Sequence, residues 1–291
     1  MTDDSLFQRG KAALQPLIPQ RFRSDAPIVP VVRLSGAIGI QTPLRPGLTL
    51  PGIAKSLDRA FGMGNARAVA LQINSPGGSA AQSHLIFQRI RALADEKKIP
   101  VFAFVEDVAA SGGYMIACAA DEIVCDPSSI VGSIGVVGGS FGFEKLIEKI
   151  GIERRLYTSG ENKAMLDPFL PEKAEDVAKL KAIQKEIHEH FIALVKSRRE
   201  RLSPEAALFT GEYWTGNRAK ELGLIDSIGD LRGTLRARYG DKVKTPLIVE
   251  RGFFGRKTPG VGLENLFASA SLAEDVVSTL EARALWARYG L

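Results

Sequence analysis

The middle of the chain alternates between short apolar runs and longer segments with apolar residues at helical spacing. Residues 28–34, 68–73 and 100–105 are rich in β-branched and other apolar side chains, so each run predicts a strand. Residues 80–94 and 171–201 carry apolar side chains at helical spacing and predict helices. Strands that alternate with helices favour an α/β fold with a parallel sheet.

Three regions follow from the composition along the chain. Residues 1–27 form an N-terminal arm whose short apolar stripe suits packing on a neighbouring subunit or on a lipid surface. Residues 28–245 form the main domain. Residues 246–291 are expected to hold a glycine-rich linker and then an amphipathic helix from about 263 to 289. With 291 residues, of which 45% are hydrophobic, the chain is able to bury a large core.

Two of the predicted strands lead into glycine-containing loops that precede helices. One is the loop 74–79, with the sequence NSPGGS, and the other contains Ser111 and Gly112. Because parallel strands joined by helices end at the same edge of a sheet, both loops are expected to open into one crevice. The amides of Gly78 and Gly112 would then bind a carbonyl oxygen as it becomes negative. The alternative is two ordinary turns, with Ser111 as a helix cap and the glycines present for steric reasons.

A serine nucleophile needs a base within hydrogen-bond reach. The only histidines in the sequence are His84, His188 and His190, and none is flanked by a second catalytic group, so structural or surface roles are favoured. Lys163 is the other candidate, because the apolar residues 164–166 that follow it are suited to excluding water. To act as a base it must have a pKa lowered from about 10.4 to near neutrality, which burial in an apolar cleft achieves.

Four motifs occur in order within residues 31–235. They read NSPGG at 74–78, AASGGY at 109–114, VGSIGV at 131–136 and SGENK at 159–163. In this order they resemble the signal peptide peptidase A family, the S49 type of Ser-Lys serine proteases. The set is far more specific than any one motif. The resemblance implies a crotonase/Clp-protease-like ββα spiral, here with N- and C-terminal helical extensions.

The resemblance also implies roles for individual residues. Ser111 would be the nucleophile, Lys163 the general base, and Gly78 part of the oxyanion hole, where we expect Gly112 to join it. Ser133 would position the lysine amine. From the residues alone, the turn that contains Ser133 is equally consistent with a hydroxyl that bonds nearby backbone.

Composition and residue spacing indicate which kinds of ligand to expect. The net charge of +5 is modest, and its densest basic run, 196–201, has no interleaved aromatic residues, so nucleic-acid binding is not expected. Cys118 and Cys125 lack metal or redox spacing and are read as buried, reduced thiols. No cluster of carboxylates and histidines suggests a metal site, so we expect neither a metal nor a cofactor.

Location and assembly complete the expectations. The sequence shows no secretory signal or membrane-spanning run, which favours a cytoplasmic protein whose membrane association, if any, is peripheral. This departs from the membrane anchor of many family members and leaves signal peptides in doubt as substrates. The resemblance implies a ring-shaped homo-oligomer that cleaves peptides or unfolded proteins. The rival functions are a crotonase-like acyl-CoA enzyme and a non-catalytic scaffold of the same fold.

Overall fold

The computed structural model describes residues 26–40, 47–204, 206–249 and 272–291. Within them, seven strands form one sheet in which β1, β2, β3, β4 and β7 lie side by side and parallel. Strand β5 pairs parallel with the end of β3, and β6 pairs antiparallel with β5. The strands are β1 Val31–Ser35, β2 Val69–Ser75, β3 Val101–Ala110, β4 Glu122–Cys125, β5 Ile130–Gly132, β6 Tyr213–Thr215 and β7 Ser227–Ile228.

Helices connect these strands and cover both faces of the sheet. The α-helices are α1 Leu50–Phe61, α2 Ala80–Lys97, α3 Gly112–Ala117, α4 Glu144–Lys149, α5 Ala174–Arg198, α6 Gly216–Glu221, α7 Leu231–Tyr239 and α8 Leu272–Ala287. A short 3₁₀ helix spans Ala206–Phe209. None of the described helices is both long and apolar enough to cross a membrane. The alternation of strands and helices confirms the expected α/β class.

The buried side chains form two main clusters, one on each side of the sheet. The larger cluster includes residues of α1, α2, α3 and α5. The smaller one includes Phe102, Phe104 and Leu235, so helix α7 packs on the opposite face. A third and separate cluster joins Val108 and Ala110 at the end of β3 to Tyr289, beyond the end of α8.

Strand β3 is longer than the sequence predicts, and the extra residues matter for the site. The apolar run ends at residue 105, but the strand continues through Glu106 and Asp107 to Ala110. Side chains of β2 stabilise these two polar residues: the Gln72 amide donates a hydrogen bond to the Glu106 carboxylate at 2.9 Å, and the Asn74 amide donates one to the Asp107 carboxylate at 2.6 Å. The strand therefore ends directly at Ser111.

The segment 137–157, which includes α4, has an exposed apolar surface. Val137, Phe141 and Tyr157 are 72%, 79% and 90% exposed. Leu146, Ile150 and Ile152 are exposed as well. Large apolar side chains grouped in this way are typical of a surface that another protein covers.

Two predicted regions fall wholly or partly outside the described residues. They are the N-terminal arm, apart from residues 26–27, and the linker with the start of the final helix, apart from residues 246–249. The described part of that helix, α8, begins at Leu272.

Candidate active site

Ser111 occupies a strained turn between β3 and α3. Its backbone has φ of 52° and ψ of −120°, and a positive φ in a residue other than glycine costs about 1–3 kcal/mol. The Ser111 N–H donates to the Gly132 carbonyl at 2.8 Å, and the Ser111 carbonyl accepts from Met115 N–H at 3.0 Å. These backbone bonds hold the strained conformation in place.

The hydroxyl of Ser111 is not used as a helix cap. No capping hydrogen bond is made by this side chain at the start of α3, although capping is the commonest role of a serine at that position. Within the described residues the hydroxyl has no hydrogen-bond partner at all. The capping alternative is therefore wrong, and the hydroxyl is available to an external group.

The loop after β2 lies directly against this serine. A Cβ atom placed on Gly77 would be 2.8 Å from Ser111 Cβ, 2.9 Å from the Ala110 carbonyl oxygen and 3.0 Å from the Gly112 nitrogen. Gly77 also has φ of +101°, which favours glycine. The two loops thus meet at Ser111, as the parallel arrangement of β2 and β3 predicts. Sequence reasoning missed the position of Gly77 because the motif contains two glycines and gives no sign of which one faces the serine.

Gly78 and Gly112 carry the two amides that the sequence assigns to oxyanion binding. Gly112 is the first residue of α3, so its N–H has no acceptor inside the helix. Around Gly78, Ile38 N–H donates to Gly77 O and Ser79 N–H donates to Ile38 O, both at 2.8 Å. The Gly78 N–H itself has no backbone acceptor among the described residues. Gly78 is also sterically required, because a Cβ there would lie 2.2 Å from the backbone oxygen of Ile38, whereas at Gly112 a Cβ would lie 2.2 Å from Ser83 Oγ and would force that side chain to move.

Ser133 lies one residue beyond the carbonyl that accepts from Ser111. The pairing of β3 with β5 places Ala110 opposite Gly132, and the Ser133 N–H donates to Glu212 O at 2.6 Å. Ser133 has φ of 54° and is only 4% exposed. Its hydroxyl makes no hydrogen bond to the described residues, so the alternative of local backbone bonding is not observed.

Lys163 differs most from expectation. Its side chain is exposed rather than walled off by residues 164–166, which are half-buried. The loop that holds Lys163 lies between α4 and α5, and it is joined to α5 by a hydrogen bond from Leu166 N–H to Asp176 Oδ2 at 3.2 Å. No hydrogen bond links Lys163 to Ser111 in the described part of this single chain. The expected burial of the amine is therefore not observed, because the half-buried residues 164–166 leave the Lys163 side chain exposed.

The three histidines make contacts elsewhere. The rings of His84 and His190 meet edge to face, with centroids 4.4 Å apart, and His188 Nε2 lies 3.1 Å from Ile134 O. Partial burial and the neighbouring His190 lower the pKa of His84. None of the three rings is hydrogen-bonded to Ser111 in the ranges that the structure describes.

The two cysteines are free and buried, as predicted. Burial raises the pKa of both the Cys118 and the Cys125 thiol to about 12, so neither forms a reactive thiolate near neutral pH. The residues described contain no group of three or more histidine, cysteine, aspartate or glutamate side chains placed to hold a metal ion.

Fold and site together define an α/β protein in which a strained serine ends a parallel strand beside a glycine loop, with a hydroxyl that bonds none of the described residues. Comparison with known proteins gives the particular family. The sequence pattern of Peptidase family S49 matches residues 93–242, just over half of the chain, so the chain belongs to this family. The matched region includes Ser111, Ser133 and Lys163. The resemblance stated from the motifs is confirmed, and with it the α/β fold of the crotonase and Clp-protease type.

Individual relatives agree with this assignment in part. The chain is 56% identical over 286 residues to the protein named Na(+)/H(+) antiporter NhaA of Brucella abortus, covering 96% of this chain and 39% of that protein. It is 39% identical over 169 residues to the chloroplastic serine protease SPPA of Arabidopsis thaliana, covering 57% of this chain and 24% of that protein. It is 32% identical over 191 residues to putative protease slr0021 of Synechocystis, covering 62% of this chain and 67% of that protein. The chain thus spans well under half the length of the first two relatives.

Proposed function

We propose that this chain is a serine endopeptidase that cleaves peptides or unfolded proteins through an acyl-enzyme. The observation that carries the proposal is the strained Ser111 turn beside Gly77, where the serine hydroxyl has no hydrogen-bond partner among the described residues. Strain of this kind is typical of a nucleophile held at a strand-to-helix turn. Membership of a peptidase family supports the reaction class.

In the proposed reaction, the Ser111 oxygen attacks the scissile carbonyl carbon while the Lys163 amine takes the hydroxyl proton. The carbonyl oxygen becomes negative and accepts from the Gly78 and Gly112 amides. The C–N bond then breaks, and protonated Lys163 donates to the leaving amine. A water molecule attacks the ester carbon while Lys163 takes one of its protons, and Lys163 then returns this proton to the Ser111 oxygen as the ester C–O bond breaks, which releases the acid and restores the serine hydroxyl. Ser133, buried next to Gly132, would hold the amine in position.

We further propose that Lys163 acts on Ser111 of a neighbouring copy in a ring-shaped homo-oligomer. In the single chain the Lys163 side chain is exposed and has no hydrogen bond to Ser111 within the described residues. The apolar segment 137–157 precedes it and is itself uncovered. An interface over this segment would bury the lysine and supply the apolar surroundings that a neutral amine requires.

Co-assembly of two inactive variants tests this arrangement. Ser111→Ala and Lys163→Ala chains, each carrying a different tag, are produced together and purified through both tags. If the base comes from a neighbour, random mixing leaves about a quarter of the sites complete, and about a quarter of wild-type activity is expected. If each chain supplies its own base, no complete site forms and the mixture stays inactive. Each variant alone serves as the control.

The acyl-CoA alternative makes different products. Incubation with an unfolded protein that lacks disulfides is expected to yield new amino termini, while CoA thioesters remain intact. Thioester consumption without peptide cleavage would instead support crotonase-like chemistry. Neither reaction, in a protein confirmed to be folded and assembled, would favour the scaffold.

A further inference from the structure

The last two residues of α8 and the four that follow it lie at the carboxyl end of β3. We call residues 286–291 the closing segment. Tyr289 is only 6% exposed, and its ring meets that of Tyr213 edge to face with centroids 5.0 Å apart. The Tyr289 hydroxyl reaches Pro76 O at 3.5 Å, and the Tyr213 hydroxyl donates to Arg288 O at 3.1 Å. The closing segment is therefore docked on the protein by its aromatic side chain and by a backbone carbonyl.

The surface beneath the closing segment belongs to the residues around the nucleophile. Tyr289 clusters with Val108 and Ala110, while Ile130 and Trp286 pack against that cluster. Side chains alternate between the faces of a strand, and Ala109 indeed belongs to the main core on the other face. Ala110 immediately precedes Ser111, just as Pro76 immediately precedes Gly77.

Val108, Ala110 and Ile130 form an apolar surface that Tyr289 covers. A peptide bound for cleavage must pass its main chain across Ser111, and its side chains then fall on the surfaces next to this serine. The apolar surface beneath Tyr289 is one of them, because Ala110 adjoins Ser111. Arg288 and Leu291, on either side of Tyr289, are exposed, so the segment is held mainly by the aromatic rings of Trp286 and Tyr289, which we call the anchor.

We propose that the closing segment is an intramolecular competitor of the substrate, which occupies an apolar side-chain site beside Ser111 and must leave before a peptide binds. This inference rests on the proposed function. A site that is open only part of the time binds substrate with an apparent affinity reduced by the open fraction. Loss of the anchor should therefore raise activity, whereas a segment that formed a permanent wall of the site would lower activity when lost.

The test compares variants of the full chain. In the Trp286→Ala/Tyr289→Ala double variant, we expect the rate of fluorophosphonate labelling of Ser111 and kcat/KM for an unfolded protein to rise about tenfold, which corresponds to about 1.4 kcal/mol. Tyr213→Phe keeps the ring but removes the bond to Arg288 O, so it should give a smaller rise without a loss of packing. Leu280→Ala, at a 61% exposed position of α8, is the matched control and should change neither rate. Unchanged or lower labelling and hydrolysis rates in both the double variant and Tyr213→Phe would overturn the inference.

Two further measurements separate this inference from the proposed function. A free peptide with the sequence RALWARYGL of residues 283–291 should slow labelling of the double variant, and the same peptide with both aromatic residues replaced by alanine should not. Labelling that is absent in every form contradicts the proposed function. In that case, amide hydrogen exchange tests whether a peptide displaces the closing segment. An added apolar peptide should speed the exchange of backbone amides in residues 283–291 of the wild type, and unchanged exchange would overturn the inference.

Discussion

Replacement of Ser111 by alanine is expected to reduce peptide hydrolysis by at least about a thousandfold, since only binding and oxyanion stabilisation remain when a nucleophile is removed. The fold should be unaffected. The hydroxyl makes no hydrogen bond to the described residues, and alanine meets the same backbone strain as serine at φ of 52°. Hydrolysis of an unfolded protein is measured by the appearance of new amino groups, with the free energy of unfolding measured in parallel.

Ser128→Ala is the matched control, because Ser128 is an exposed serine in a turn of the same domain. It should retain wild-type activity. Retention of more than a tenth of the activity by Ser111→Ala would remove Ser111 from the reaction. Loss of stability together with activity would be uninformative about chemistry, and for that reason the unfolding measurement accompanies the assay.

Replacement of Gly77 by alanine is expected to have the second-largest effect. The added Cβ would come within 3.0 Å of Ser111 Cβ, the Ala110 carbonyl and the Gly112 nitrogen, all of which belong to the strained turn. A shift of about 1 Å in such a group costs roughly a hundredfold in rate. The positive φ of Gly77 adds backbone strain, so we also expect a loss of about 1–3 kcal/mol in the free energy of unfolding.

Gly64→Ala provides the comparison, because nothing lies within 4 Å of a Cβ at that position. It should leave both activity and stability close to the wild type. If Gly77→Ala retained full activity, the close approach of the two loops would have no role in placing the serine.

Much of the central sheet could be predicted from the sequence. The apolar runs at 68–73 and 100–105 predicted two neighbouring parallel strands, and their glycine loops predicted a shared crevice. The end of β3 could not be predicted, because Glu106 and Asp107 interrupt the apolar run and are accommodated by side chains of neighbouring strands, from β2 for both residues and from β1 for Glu106. The strand propensity of a segment depends on its own residues alone, whereas the polar part of β3 is stabilised by side chains of adjacent strands.

The sequence alone also left the contacts of the candidate site undetermined. Motif order identified Ser111, but a Ser-Gly pair at a helix start reads equally as a cap, and only the backbone angles with the missing cap bond distinguish the two. The exposure of Lys163 was not predicted, because apolar neighbours in sequence do not say which side of a loop they cover. The docking of Tyr289 next to Pro76 joins residues 213 positions apart, and no local pattern indicates it.

The measurement that bears most directly on the central claim is the location of a covalent adduct. The assembled wild-type protein is treated with a fluorophosphonate, digested and analysed by mass spectrometry. We predict one adduct per chain, on Ser111, that appears in step with the loss of peptide hydrolysis. An adduct on another residue that tracks the loss of activity, or full hydrolysis by a chain labelled at Ser111, would contradict the account.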